Sequence, residues 1–519
     1  MTQTSTKIAH SDRATVVSGH DLATRAALRI LEEGGSIADA AIAGAGVLTV
    51  ALPNACGLGG DAFMLVHDAA SGKTEGINAS GMSPALATPA AFESSTLPER
   101  GARSVNVPGM VAGWELLHQR YGRTAWSRLL APAVEYARQG VPVSRVLARS
   151  SALYRDMLAA DAGCRALFLD DGRALTEGAN WCQPALARTL DAVAQRGASA
   201  FYEGDIARSI AAACEAAGGL LRADDLAAYR AQWVEPISTH YRGHEVRALP
   251  PNSFGLYLLL QLMALEDSAF PGASQRAERL ARLISAARAA FAVGAQALAD
   301  PDPRYGAEST AALLGESGRE RLRTAQAGET PNLGGTAVIS VADAAGNAVI
   351  IIQSVFLVFG SGVADAQTGT LLNNRLFGFC QEPGHPNQVG PHKRPAHTLC
   401  PALVFKDGAL RYALATPGGP GQTLTLAQVL EGLLEGGMSL PETIATPRWS
   451  MDLAGNPLAE SDMPQAWVTA LAELGIALAP GAPGSPYFGS VKGIARDADG
   501  TLTGVADHRR DATARGLSS

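Results

Sequence analysis

The residue with the most chemical promise follows two glycines. Asn332-Leu333-Gly334-Gly335 closes a polar stretch that begins at Glu308, and Thr336 opens an alternating run to Ala342. A threonine hydroxyl is a poor nucleophile at neutral pH. Were the chain opened before Thr336, its own α-amine, with a pKa of about 8, would stand beside the hydroxyl as a base. Gly334-Gly335 would permit the distorted backbone that such a cut requires. Taken alone, Thr336 is more simply a strand threonine after a Gly-Gly turn. Pro417-Gly418-Gly419 follows a strand pattern, and glycines let backbone N–H groups approach a ligand closely, although an ordinary turn has the same composition. Gly57 to Gly60 has the glycine density of a phosphate loop but lacks the following Lys-Ser/Thr, so it reads as packing in a core turn.

These residues need elements to hold them. Thr336 to Ala342 and Asn347 to Ser354 read as a hairpin across Ala344-Ala345-Gly346. Ala402 to Phe405 meets Leu410 to Ala415 across Asp407-Gly408, and a further hairpin is expected from Gly489 to Ala495 and Leu502 to Ala506. Ala62 to His67 and Thr74 to Asn78 pair around Ala70-Ser71-Gly72. Asp21 to Val50 reads as helix then helix, interrupted at Gly34-Gly35. Further helices are expected over Trp114 to Arg138, Leu186 to Ala194, Gly204 to Ala217 and Ala277 to Asp300. Helices, then strands, then helices imply layered α and β.

The 519 residues, 47% hydrophobic and 18% charged, are those of a large globular enzyme. A net charge of −7 argues against nucleic acid as a partner. Cys56, Cys164, Cys182, Cys214, Cys380 and Cys400 form no CxxC pair and no zinc-spaced cluster; buried free thiols are expected, with no metal or cofactor. Met1 to Val17 lacks the apolar core of a signal peptide, and no 18-residue apolar run suggests a membrane span, so a cytoplasmic protein is expected.

A series of short motifs then gains weight from its order and spacing. Gly34-Gly35-Ser36-Ile37-Ala38-Asp39-Ala40-Ala41 is followed by Gly57-Leu58-Gly59-Gly60-Asp61-Ala62-Phe63, Val107-Pro108-Gly109 with Ala112-Gly113, Tyr121-Gly122-Arg123 and Leu130-Ala131-Pro132-Ala133. Later come Phe359-Gly360-Ser361-Gly362, Gly369-Thr370-Leu371-Leu372-Asn373-Asn374, Lys393-Arg394-Pro395 and Pro417-Gly418-Gly419. Over about Val17 to Ala506 the chain resembles the gamma-glutamyltransferase family of N-terminal-nucleophile hydrolases. The resemblance implies an α+β fold, a four-layer αββα sandwich. It also implies a precursor that cuts itself between Gly335 and Thr336, giving a large subunit of residues 1–335 and a small one of 336–519, with a dimer of such heterodimers as one assembly. It makes Thr336 the nucleophile, Ser354 the hydroxyl that supports it, and the N–H groups of Gly418 and Gly419 the oxyanion hole.

The departures fall on the substrate pocket. The family's Thr-Thr-His run is Thr336-Ala337-Val338 here, and Ser80 stands where the family keeps the arginine for a glutamyl carboxylate. Gly378 replaces the amine-binding aspartate, Arg375 follows Asn373-Asn374, a paired-serine motif reads His397-Thr398, and Phe356 replaces an asparagine. The pocket thus loses a cation and an anion and gains Arg375, His397 and the bulky Phe356 and Phe377. Arg375, His397, Thr398, Phe356 and Asn374 are the expected substrate contacts, with Arg375 gripping a carboxylate through two parallel hydrogen bonds. The branch containing oxamate amidohydrolases of purine catabolism suits a tiny anionic amide, and oxamate hydrolysis to oxalate and ammonia is the leading expectation. The alternatives are a gamma-glutamyltransferase or glutathione hydrolase, a cephalosporin-type acylase, and an uncleaved inactive binding relative. Pro383 to Pro395, rich in Pro, Gly and His, is expected as a lid.

Overall fold

The computed structural model describes residues 6–92, 96–272, 274–325, 335–452, 455–482 and 485–518. Its centre is a pair of seven-stranded antiparallel sheets. In chain order the strands are β1 (Lys7–Ser11), β2 (Ala14–Ser18), β3 (Asp61–Asp68), β4 (Lys73–Ala79), β5 (Gln232–Val234), β6 (Ile237–Tyr241) and β7 (His244–Ala248). They continue as β8 (Gly335–Asp343), β9 (Ala348–Phe356), β10 (Ala402–Lys406), β11 (Ala409–Ala415), β12 (Lys492–Arg496), β13 (Leu502–Ala506) and β14 (Thr513–Leu517). The first sheet has the order β14-β2-β8-β9-β3-β4-β5, the second β1-β13-β12-β11-β10-β7-β6. Each sheet therefore takes strands from both sides of residue 335.

Side-chain alternation explains the layers. Val338, Phe63, Leu65, Ile350 and Ile352 of the first sheet meet Leu403, Phe405, Ala413 and Ile494 of the second in an apolar interlayer. Ala337, Ile339, Val341 and Ile351 point the other way and pack under a helical layer. That layer holds α1 (Asp21–Glu32), α2 (Ile37–Ala51), α3 (Met110–Tyr121), α4 (Trp126–Gln139) and α5 (Pro184–Arg196). On the far side, α6 (Gly255–Glu266), α7 (Arg276–Gly294) and α8 (Gly421–Leu434) cover the second sheet. The arrangement is the expected αββα sandwich. Helix α2 starts with a capping box in which Ser36 Oγ accepts from the N–H of Asp39 and the Asp39 carboxylate accepts from the N–H of Ser36.

Three readings change. The expected helix from Trp114 to Arg138 is two helices, because the chain stops at Gly122, whose N–H bonds to the His118 carbonyl. The helix expected to reach Asp300 ends at Gly294, where the Gly294 carbonyl accepts from Ala297 and Leu298. All six cysteines are free, but Cys182 is exposed and Cys380 half-buried, so the expectation of buried thiols holds for Cys56, Cys164, Cys214 and Cys400. Among the described residues no helix is long and apolar enough to cross a membrane.

Candidate active site

Thr336 is the second residue of β8, next to a break in the ladder. Gly335 pairs with Phe356 and Ala337 with Gln353, so the register shifts at Thr336. Such bulges re-aim side chains beside functional sites. Thr336 is buried, and its Oγ1 has no hydrogen-bond partner among the described residues. Across the irregularity, Ser354 Oγ donates to the carbonyl oxygen of Gly335. The same Oγ accepts from the Phe356 N–H at 2.8 Å and lies 3.4 Å from Arg375 Nη2. Phe356 has a left-handed φ of 76°, a strained conformation for an aromatic residue.

Arg375 leads out of Asn373-Asn374 into a short 3-10 turn (Arg375–Gly378) and is wholly buried. Its Nε donates to Asp61 Oδ2 at 3.0 Å, and Nη2 is 3.4 Å from Asp61 Oδ1. The guanidinium carbon lies 4.1 Å from the centre of the Phe356 ring. Arg375 is thus held edge-on by an acid, with only Nη1 unpartnered among the described residues. The free two-pronged carboxylate clamp expected from the sequence is not what the side chain presents.

His397 Nε2 lies 2.8 Å from Asp61 Oδ2, and its Nδ1 accepts from the Leu399 N–H at 3.3 Å. Nε2 therefore carries the proton and donates to Asp61. Burial, then the charge of Arg375, pushes the His397 pKa down to about 4. Burial raises Asp61, but Arg375 and His397 outweigh it and hold the carboxyl below its ordinary range. One cation and one anion face each other, so the cluster is close to neutral rather than basic.

The other expected contacts divide. Thr398 is buried with its Oγ1 unpartnered among the described residues. Phe356 and Phe377 stand 6.4 Å apart, ring centre to ring centre. Asn374 is committed to the scaffold: Oδ1 accepts from Leu357 N–H at 3.0 Å and Nδ2 donates to Glu99 O at 2.8 Å. Gly418 and Gly419, with φ of 133° and 57°, form the turn between β11 and α8. Their N–H groups belong to neither ladder, while their carbonyls accept from Gly421 and Gln422. Gly59 and Gly60 behave as core packing, since a Cβ on Gly60 would sit 2.3 Å from the Ser354 carbonyl oxygen. Ser80 is sealed in a neutral knot in which Asn252 Nδ2 donates to Ser80 Oγ at 3.1 Å and Asn78 Nδ2 to Asn252 Oδ1 at 2.8 Å.

The segment expected as a lid is pinned. Lys393 Nζ donates to Gln388 O at 2.8 Å and sits 4.4 Å over the Tyr305 ring. Arg394 N–H donates to Asp300 Oδ2 at 2.7 Å, and Asn387 Nδ2 to Gly378 O at 2.8 Å. These contacts tie the segment to Tyr305, Asp300 and Gly378.

Two residues went unread. Asp61 lies in a quoted motif, and an acid followed by Ala62-Phe63-Met64-Leu65-Val66 must be buried and must find a cation. Lys492 pairs with Ala415 just before the Gly418-Gly419 turn, and its Nζ bonds to Ser490 O and Oγ, both at 2.8 Å. Ser490 N–H in turn donates to Thr416 Oγ1 at 2.8 Å, and Ser340 Oγ of β8 to Lys492 O at 3.2 Å, tying the turn and the Thr336 strand together across the sandwich.

Known proteins share this architecture. Residues 23–517 match the family profile described as gamma-glutamyltranspeptidase. The glutathione hydrolase-like YwrD proenzyme of Bacillus subtilis is 34% identical, over 97% of this chain and 98% of its own. The oxamate amidohydrolase proenzyme of Klebsiella pneumoniae is 32% identical, over 98% and 99%. The crystal structure of cephalosporin acylase from Bacillus halodurans superposes with a TM-score of 0.91 at 32% identity, covering 99% of this chain and 97% of that one. A sandwich of this topology, with a threonine at its bulged central strand and full-length similarity to these enzymes, places the chain in the gamma-glutamyltranspeptidase family as a hydrolase of amide bonds.

Proposed function

We propose that the chain is a proenzyme that cuts itself between Gly335 and Thr336 and then hydrolyses a small carboxylated amide, oxamate foremost. The observation that carries the first half is the hydrogen bond from Ser354 to the Gly335 carbonyl, beside a Thr336 hydroxyl left unengaged among the described residues. The cut would leave subunits 1–335 and 336–519. The new amine of Thr336 takes the proton from its own Oγ1 as the oxygen attacks the substrate carbonyl. The Gly418 and Gly419 N–H groups receive the oxyanion, the protonated amine gives its proton to departing ammonia, and water hydrolyses the ester.

Three features support a small acyl group. The Phe356 ring lies on the Arg375 guanidinium, with Phe377 beside it, so bulky rings crowd that group. Ser80, where the family's carboxylate-holding arginine would be, is locked in a neutral knot. Arg375 Nη1 and Thr398 Oγ1 are buried and unpartnered among the described residues, and in this proposal they are assigned to the substrate carboxylate. The named activity of the Klebsiella relative is the one these features favour.

The test is ammonia release from oxamate, with a gamma-glutamyl anilide and a cephalosporin side-chain amide in parallel. Ammonia from oxamate alone supports the reading. Cleavage of the anilide or the cephalosporin amide without oxamate turnover would assign the chain to a glutathione hydrolase or an acylase specificity instead.

A further inference from the structure

In the uncut chain the first carbonyl that Thr336 would attack is that of Gly335, and its oxygen must carry the developing negative charge. That oxygen accepts from Ser354 Oγ. The serine oxygen itself receives the Phe356 N–H and faces Arg375 Nη2. A hydroxyl that accepts from donors while giving its one proton is a polarised donor. Behind it, each residue is held by the next: Arg375 by Asp61, Asp61 by His397, and His397 by the Leu399 N–H. The side chains of Arg375, His397 and Asp61 are no more than 1% exposed.

A buried ion pair seldom stabilises a fold more than apolar residues of the same volume would. This one also leaves a guanidinium nitrogen without a partner among the described residues. Its placement against Ser354 suggests another use. The geometry points to Asp61 and Arg375 as positioning residues for self-cleavage, orienting and polarising Ser354 so that it stabilises the oxyanion on Gly335. The inference rests on the proposed cut before Thr336. In that step Thr336 Oγ1 bonds to the Gly335 carbonyl carbon, and the C–N bond to Thr336 breaks. The hydroxyl proton ends on the departing amine. Water then hydrolyses the ester, leaving a carboxyl on Gly335 and a free amine and hydroxyl on Thr336.

The experiment follows conversion of full-length chains into two pieces over time, with thermal unfolding of each protein in parallel. The proteins are wild type, Arg375→Lys, the neutral double variant Asp61→Asn/Arg375→Gln, and Thr336→Ala. The double variant should cut about 100-fold more slowly, the scale of losing one oxyanion donor. Arg375→Lys keeps the charge but cannot reach Asp61 and Ser354 together, and should recover part of the rate, to within about 10-fold of wild type. A merely structural pair would lower the unfolding temperature and leave the cutting rate of folded chains unchanged. Wild-type rates in folded Arg375→Lys and in the double variant overturn the inference while leaving Thr336 as nucleophile. If the double variant does not fold, an unslowed Arg375→Lys overturns it alone. Splitting of Thr336→Ala would instead sink the reading on which it rests.

Discussion

Ser354 and Gly335 are joined across the bulge of the central hairpin, hydroxyl to carbonyl. Removing the hydroxyl strands the Gly335 carbonyl and the Phe356 N–H, and leaves Arg375 Nη2 with Asp61 Oδ1 alone. Ser354→Ala should slow maturation by about 100- to 1,000-fold and lower stability by roughly 1–3 kcal/mol. Ser354→Thr should restore most of the rate. Intact-mass time courses and urea unfolding measure the two effects, and a wild-type maturation rate in the alanine variant would deny Ser354 its part.

Maturation and turnover use different oxyanion donors in this scheme. Gly418 has a φ of 133°, where a side chain is strained. Gly418→Ala should therefore reduce kcat about 100-fold while the precursor still splits at its normal rate. Loss of both together would mean the turn serves the precursor as well.

His397 makes stability depend on acid. Its pKa in the fold is about 4 against an ordinary 6.5, because burial and Arg375 disfavour the charged ring. Between these values the unfolded chain binds the proton and the fold does not. The contribution is complete above pH 6.5 and is lost as pH falls towards 4. It amounts to a few kcal/mol, on the order of 3 for a shift of this size. Urea midpoints should fall from pH 7 to about pH 5 in the wild type and much less in His397→Gln. Equal slopes in the two proteins would show that other groups govern the acid limb.

Lys492 acts at the opposite end of the scale. Burial, then the charge of Arg510, brings its pKa down to about 7 from 10.5, with Asp507 and Asp511 opposing and Arg448 adding to the fall. Below pH 7 the cost of burying its charge is present in full. As pH rises towards 10.5 the fold keeps a neutral amine while the unfolded chain stays protonated, so stability rises. Lys492→Met should abolish that rise and be more stable than wild type at neutral pH, as read by unfolding at about pH 7 and about pH 9. A Lys492→Met protein that is less stable at neutral pH would show that the bonds to Ser490 outweigh the burial of charge.

The hairpin carrying Thr336 and Ser354 was legible because both strands alternate and a Gly-bearing turn separates them. Thr336, Ser354 and Gly418-Gly419 take their roles from family resemblance, because a threonine after a Gly-Gly turn and a Pro-Gly-Gly turn are each ordinary patterns when taken alone. Helices α6 and α8 escaped because GLYLLLQLMALE and GQTLTLAQVLEGLL are almost wholly buried and lack a polar face to set a period. β6, β7 and β14 escaped because their short runs mix charge with apolar residues, as in HEVRA and TARGL. The electrostatics of the pocket were misread for a related reason. Arg375 could be seen in the sequence, but its partner Asp61 lies 314 positions earlier, and a cation whose counter-ion is unseen looks free.

Both sheets interleave strands from the two sides of residue 335: β2, β3 and β4 flank β8 and β9 in one, and β1, β6 and β7 bracket β10 to β13 in the other. A single nick before Thr336 would leave neither piece with a complete sheet. The precursor can find this topology as one chain, at a rate independent of concentration. Two pieces would have to rebuild it by encounter, with long unpaired strand edges exposed meanwhile. Maturation would thus convert a chain able to refold into an assembly whose survival rests on never coming apart.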